Sequence, residues 1–175
     1  MTLFHATPAA ALAVLLAFAA PAAAQQGKAR QAAPAQGPQR IGDWKLVCEP
    51  SAPCFMSQEI VDADTKLGVA GIALAKPPGR SGSVMQINLA PQIDPQKPIG
   101  LSVDGSPPAT LPVNTCDASK CISRASVPND VLDRLRKGKE LVLTFGLQNQ
   151  DQLAAVTFSL KGFTAAFKAL ETKRG

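Results

Sequence analysis

Residues 43–48 read Asp43-Trp44-Lys45-Leu46-Val47-Cys48. Successive side chains of a strand point to opposite faces, so Trp44, Leu46 and Cys48 share one face and Lys45 lies on the other. The same two-residue period continues outward from this segment. Candidate strands follow at Cys54–Val61, Gly68–Ala75, Ser83–Leu89, Ile99–Val103, Ala109–Val113, Cys121–Ser126, Lys139–Leu147 and Leu153–Leu160. Turn chemistry separates them: Asp62-Ala63-Asp64, Pro77-Pro78-Gly79, Asp94-Pro95, Asp104-Gly105 and Asn149-Gln150-Asp151. Short strands with turn signals about every 8–12 residues predict a mainly β chain. The expected architecture is a single-domain antiparallel β-sandwich of about nine short strands with two short helices.

The period changes twice. Pro128 to Lys137 reads as a short helix, with Pro128 at its start, acids early, Arg134, Arg136 and Lys137 late, and Gly138 as a stop. Near the C-terminus Phe163, Ala166, Phe167 and Leu170 recur at helical spacing and form one apolar stripe. So short a helix is marginal alone and has to dock on the sheet.

The four cysteines are Cys48, Cys54, Cys116 and Cys121. Three pairings are open to them. The local one, Cys48–Cys54 with Cys116–Cys121, is preferred because each pair straddles a turn-prone stretch. In the loop-entropy model such short closures stabilise by about 2 kcal/mol each. A four-cysteine zinc site is the rival, but structural zinc clips are usually tighter.

The first 24 residues carry no Lys, Arg, Asp or Glu, and Ala9–Ala20 forms an apolar core that ends in Ala22-Ala23-Ala24. That stretch is shorter than the ~20 apolar residues of a membrane span. It reads as a secretory signal peptide over residues 1–24. Residues 25–40, rich in Gln, Ala, Pro and Gly, read as a disordered linker. The sandwich domain is expected over 41–172, and no later stretch is apolar enough to span a bilayer. Export favours disulfides over free thiols. The compartment expected is the periplasm or the outer surface.

Composition narrows the chemistry. The only histidine is His5, inside the expected leader, so the exported protein has no Ser-His-Asp triad, Cys-His dyad or His-ligated metal. No metal or cofactor is expected. The net charge of +5 comes without a dense basic run or interleaved aromatics, so nucleic acid is not an expected partner. No Gly-x-Ser-x-Gly, Ser-x-x-Lys, P-loop or dinucleotide motif occurs. Acids such as Asp62, Asp64, Asp94, Asp104 and Asp151 sit in turn-like positions. The chain is not expected to be an enzyme.

An ordered set of residues suggests a family. It runs Gly42-Asp43-Trp44 into Cys48, then Cys54 with Gln58 close behind. It continues through Gly100-Leu101-Ser102-Val103-Asp104-Gly105, the pair Cys116 and Cys121, and Leu160-Lys161-Gly162-Phe163-Thr164-Ala165-Ala166. Together these resemble the invasion-associated locus B family of bacterial exported proteins, from about Ile41 to Leu170. The resemblance implies a β-rich periplasmic or surface protein and a role in invasion of host red cells. It brings no catalytic or cofactor residues.

The candidate contact residues are cations. Lys76 and Arg80 lie in the loop Lys76–Gly82, and Arg134, Arg136 and Lys137 crowd the end of the first helix. Their simplest role is solvation and helix-dipole complement. Their functional role would be contact with an anionic envelope component or host-cell surface molecule. Two other readings stay open: a small periplasmic enzyme or inhibitor acting on cell-wall sugar or peptide, and an apolar-ligand module with a cavity between the sheets.

Overall fold

The computed structural model describes residues 37–49, 51–79 and 81–173. The expected signal peptide, residues 25–36 of the linker, Arg80 and the tail 174–175 lie outside the described residues.

Eleven strands and two helices are present among the described residues: β1 (Gln39–Ile41), β2 (Trp44–Val47), β3 (Phe55–Val61), β4 (Gly68–Ala75), β5 (Ser83–Leu89), β6 (Ile99–Val103), β7 (Ala109–Leu111), β8 (Thr115–Cys116), β9 (Cys121–Val127), α1 (Asn129–Lys137), β10 (Glu140–Gly146), β11 (Leu153–Ser159) and α2 (Phe163–Thr172). The strands form two antiparallel sheets. One is seven-stranded in the order β1-β2-β3-β4-β5-β9-β8, and the other is four-stranded in the order β11-β10-β6-β7. The mainly β, two-helix, disulfide-stapled architecture matches expectation. Two short strands were not read from sequence. β1 includes Gln39 and Arg40, the last residues of the expected linker, and β8 is only two residues long. Neither has enough alternation to show a period.

The core is the alternation made solid. Along β5 the residues Ser83, Met85, Ile87 and Leu89 are buried, and Val84, Gln86 and Asn88 are half-buried on the other face. Ile72 and Leu74 of β4, Leu101 of β6 and Leu141, Leu143 and Phe145 of β10 belong to one hydrophobic cluster. The second layer is completed by α2, which packs on β1, β2 and β3 and against α1. Its buried residues are Phe163, Ala166, Phe167 and Leu170, the stripe read from sequence.

Two turns fix where α2 lands. Gly42 follows β1 with φ +61°, and Gly162 precedes α2 with φ +85°. They meet backbone to backbone. A Cβ on Gly42 would lie 2.5 Å from the Lys161 carbonyl oxygen, and one on Gly162 would lie 2.6 Å from the Ile41 carbonyl oxygen. Beside this contact the Asp43 N–H donates to the Lys161 carbonyl at 3.1 Å. The next residue of each turn is a core aromatic. Trp44, fully buried, stands edge-on to Phe163 with ring centroids 5.1 Å apart, and Phe163 stacks on Phe167 at 5.9 Å. Trp44 is therefore a packing residue.

Gln58 ties the same corner across the two sheets. Its Nε2 donates to the carbonyls of Asp43 (3.0 Å) and Ser159 (3.1 Å), and its Oε1 accepts the Ser159 N–H at 3.0 Å. The disulfides are Cys48–Cys54, closing the β2–β3 connection, and Cys116–Cys121, joining partners in register across β8 and β9. This is the local pairing.

Two aspartates hold their turns by accepting hydrogen bonds. Asp62 Oδ1 accepts from the backbone and hydroxyl of Thr65, both at 2.8 Å, and Asp117 Oδ1 accepts from the Ser119 hydroxyl at 2.6 Å and its N–H at 2.7 Å. The Thr65 N–H is the main cause that lowers the Asp62 pKa, and the Ser119 hydroxyl is the main cause for Asp117. Bonds to the charged form favour it. Each carboxylate thus adds stability that is present above the ordinary aspartate pKa and lost as pH falls through the lowered folded value. A pH titration followed by NMR is expected to show both turns intact at the ordinary aspartate pKa and loosening only below it.

Gly162→Ala is expected to destabilise the protein by about 2–4 kcal/mol, because it adds left-handed strain to a backbone clash. Urea denaturation checks this.

Candidate binding surface

The outer face of the seven-stranded sheet is open, and register decides what it carries. One row across the sheet is Lys45, Ser57, Ala73, Gln86 and Arg124. The next is Glu59, Gly71, Asn88 and Ile122. Small residues therefore occupy β4 in the middle, and longer polar residues rise on either side. The result is a trough of about 500 Å³ floored by Gly71 and Ala73, walled by Ser57 and Glu59 on one side and Gln86 and Asn88 on the other. Phe55, Ser119 and Lys120 also line it.

The wall is a hydrogen-bonded chain. Arg124 Nε donates to Gln86 Oε1 at 3.1 Å, its Nη2 donates to the same oxygen, and Gln86 Nε2 donates to Asn88 Oδ1 at 3.0 Å. The Arg124 N–H is bonded to Asn114 Oδ1. Each donor in such a chain polarises the next, so the guanidinium charge is felt at Asn88. The Asn88 amide nitrogen ends the chain above Gly71 and donates to no other group among the described residues.

Gly71 has no structural reason to be glycine. A Cβ built there meets nothing nearer than 3.9 Å. Its φ is not among the positive values. Glycine inside a strand lowers stability and often marks a place where something approaches the backbone closely.

Three of the cations read from sequence, Lys76, Arg134 and Arg136, have internal partners. Lys76 Nζ lies 2.9 Å from Glu171 Oε1 and 5.9 Å from the Phe167 ring centroid. Arg136 pairs with Asp133 at 3.2 Å and lies 4.9 Å over the same ring. The structure thus gathers Lys76 and Arg136 around Phe167, where both contribute to docking α2. Arg134 pairs with Asp130 at 3.2 Å, one helical turn away. Lys137, with Arg134, Asp104 and Asp133, lines a shallow hollow of about 240 Å³. The exposed Arg134–Asp130 and Arg136–Asp133 pairs stabilise by ~0–1 kcal/mol, which leaves their charges available to a partner.

Three of the turn acids, Asp62, Asp94 and Asp104, are engaged as structure. Asp94 Oδ1 accepts the Gln96 N–H at 3.0 Å, and Asp104 accepts the N–H groups of Lys139 and Glu140. Between the sheets, Met85, Leu101, Leu111 and Val131 line a crevice of about 150 Å³. That is below the ~300 Å³ at which small-molecule sites begin. Among the described residues no three His, Cys, Asp or Glu side chains come together as a metal-ligand group.

A family model described as invasion associated locus B (IalB) protein matches residues 44–171. The chain belongs to the IalB family. The crystal structure of invasion associated protein B from Bartonella henselae has the same fold. Its TM-score is 0.70 at 22% identity, with 77% of this chain and 96% of that chain covered. No curated protein matches. The matched IalB span contains both disulfides, Trp44, Gln58, Gly162 and every residue of the trough wall. The sequence alone does not show the trough. Its signals were a glycine inside the Gly68–Ala75 strand and two amides, Gln86 and Asn88, on one face of the Ser83–Leu89 strand. Their convergence with Arg124 depends on strand order, which periodicity does not carry.

Gly71→Ala is expected to leave stability unchanged or to raise it by about 0.4–1 kcal/mol, against the large loss at Gly162. Parallel denaturation curves of the two variants test this contrast.

Proposed function

We propose that this protein is exported and acts as an interaction protein of the bacterial envelope or cell surface, where a contribution to host-cell attachment or invasion follows the family's name. The observation that carries the reading is the trough, a polar, open sheet face with an unexplained glycine in its floor and a charge-assisted amide above it. Export is supported by the two disulfides, which persist in oxidising compartments, and by the apolar leader. Such a trough suits a partner that offers hydrogen-bonding groups and mild negative charge. Its uncharged polar groups are amides and hydroxyls, and Lys120 in its lining, with Lys45 and Arg124 in the adjoining row, outnumber Glu59. The cations Lys76, Arg80, Arg134, Arg136 and Lys137 form a second contact set that adds salt-sensitive attraction.

Photo-crosslinking of the purified protein to envelopes of the producing bacterium, and separately to animal cells, tests this. Asn88→Ala and Gln86→Ala are expected to weaken capture about fivefold each, which corresponds to the ~1 kcal/mol of a typical hydrogen bond. Neutralising Arg80, Arg134 and Lys137, the members of the second contact set that do not hold α2, is expected to flatten the salt dependence without changing what is captured. Capture that is indifferent to both sets of variants and to salt would sink the proposal.

A further inference from the structure

The sequence treats its four sheet edges unequally. β1 has three residues and carries Arg40, β8 has two, and β7 has three with Pro107, Pro108 and Pro112 around it. β11 has seven, reading LAAVTFS, with no charge and no proline. Edge strands are ordinarily kept short, charged or interrupted, because their unpaired backbone groups recruit another strand.

Register shows which groups are unpaired. The Asp104 N–H donates to the Glu140 carbonyl, so Glu140, Val142 and Thr144 turn their backbone groups toward β6. Leu141, Leu143 and Phe145 then turn theirs toward β11, onto Phe158, Val156 and Ala154. The Leu160 N–H bonded to the Lys139 carbonyl at 2.8 Å keeps the same alternation. The N–H and C=O groups of Leu153, Ala155, Thr157 and Ser159 therefore point away from the sheet. At Ser159 both are taken by the Gln58 amide, which sits on the edge like a one-residue strand. At Leu153, Ala155 and Thr157 no described residue does this.

We propose that this edge pairs with the same edge of a second copy, antiparallel, about a two-fold axis at Ala155. Ala155 then faces Ala155 of the other copy, and Leu153 faces Thr157, with two hydrogen bonds at each of these three residue pairs. Gln58 fixes the register. Sliding one way by a residue pair drives Leu153 onto the occupied Ser159, and sliding the other way discards a pair. Charge fits the same arrangement. Asp151 precedes β11 and Lys161 follows it, and neither is in an ion pair among the described residues. Antiparallel pairing brings Asp151 of each copy to the Lys161 end of the other. Leu153, 63% exposed, comes to lie beside the Thr157 of the second copy. The two four-stranded sheets become one continuous sheet. The trough, on the other sheet, stays open in both copies.

Sedimentation of the oxidised protein over a concentration series is expected to show a reversible dimer. Hydrogen exchange is expected to slow at the Leu153, Ala155 and Thr157 amides as concentration rises, and to stay constant at Ala154, Val156 and Phe158. Ala155→Pro removes one outward N–H, spares the ladder to β10 and is expected to abolish the dimer. Asp151→Lys is expected to weaken it a few-fold, and adding Lys161→Asp to restore it. A protein that stays monomeric at every concentration overturns the proposal. So does a dimer that leaves the outward amides exposed, or one that ignores the charge swap.

Discussion

Gly42 and Gly162 touch through their backbones, and the turn each makes decides where the neighbouring aromatic goes. A side chain at either position would strike a carbonyl of the other turn. With both absent, Asp43 reaches the Lys161 carbonyl, Trp44 and Phe163 meet edge to face, and α2 lies on β1, β2 and β3. Gln58 then bonds both turns' neighbours at once, through Asp43 and Ser159. The two sheets are thus joined at one corner by backbone contact, a buried aromatic pair and a single amide. Apolar burial supplies most of the driving force, since it scales with area and has no direction. The corner supplies the direction, because hydrogen bonds and left-handed turns accept few arrangements.

This division explains what was legible in the sequence. Alternation is local, so Gly68–Ala75, Ser83–Leu89 and Ile99–Val103 could be read to the residue. The Phe163–Leu170 stripe was equally plain. Gly138 follows α1 as expected, but in an extended conformation rather than a left-handed one, so its role in ending the helix is not the one its residue type suggested. The meeting of Gly42 with Gly162 was visible only as two motifs at opposite ends of one family pattern. Nothing in their spacing says that they touch. β1 was hidden because three residues cannot establish a period.

The surface divides in the same way. Lys76 and Arg136 stand out in sequence as charge, yet each pairs with a carboxylate and lies over the Phe167 ring. Long cationic side chains often cover apolar surface while their charged ends stay wet. Gln86, Asn88 and Gly71 are inconspicuous residues, and they acquire meaning only through the neighbours that strand order gives them. Charge is legible along the chain, whereas the convergence of neutral side chains depends on strand order.

The separation in sequence of the corner contacts bears on how the chain becomes folded. Gln58 reaches a residue 101 positions away, and the two glycine turns lie at opposite ends of the domain. The contacts that lock the sandwich therefore form only after nearly the whole domain is available. Long-range closure of this kind is slow, whereas both cysteine pairs close within adjacent segments. A chain with this layout acquires its two staples hairpin by hairpin and clasps last.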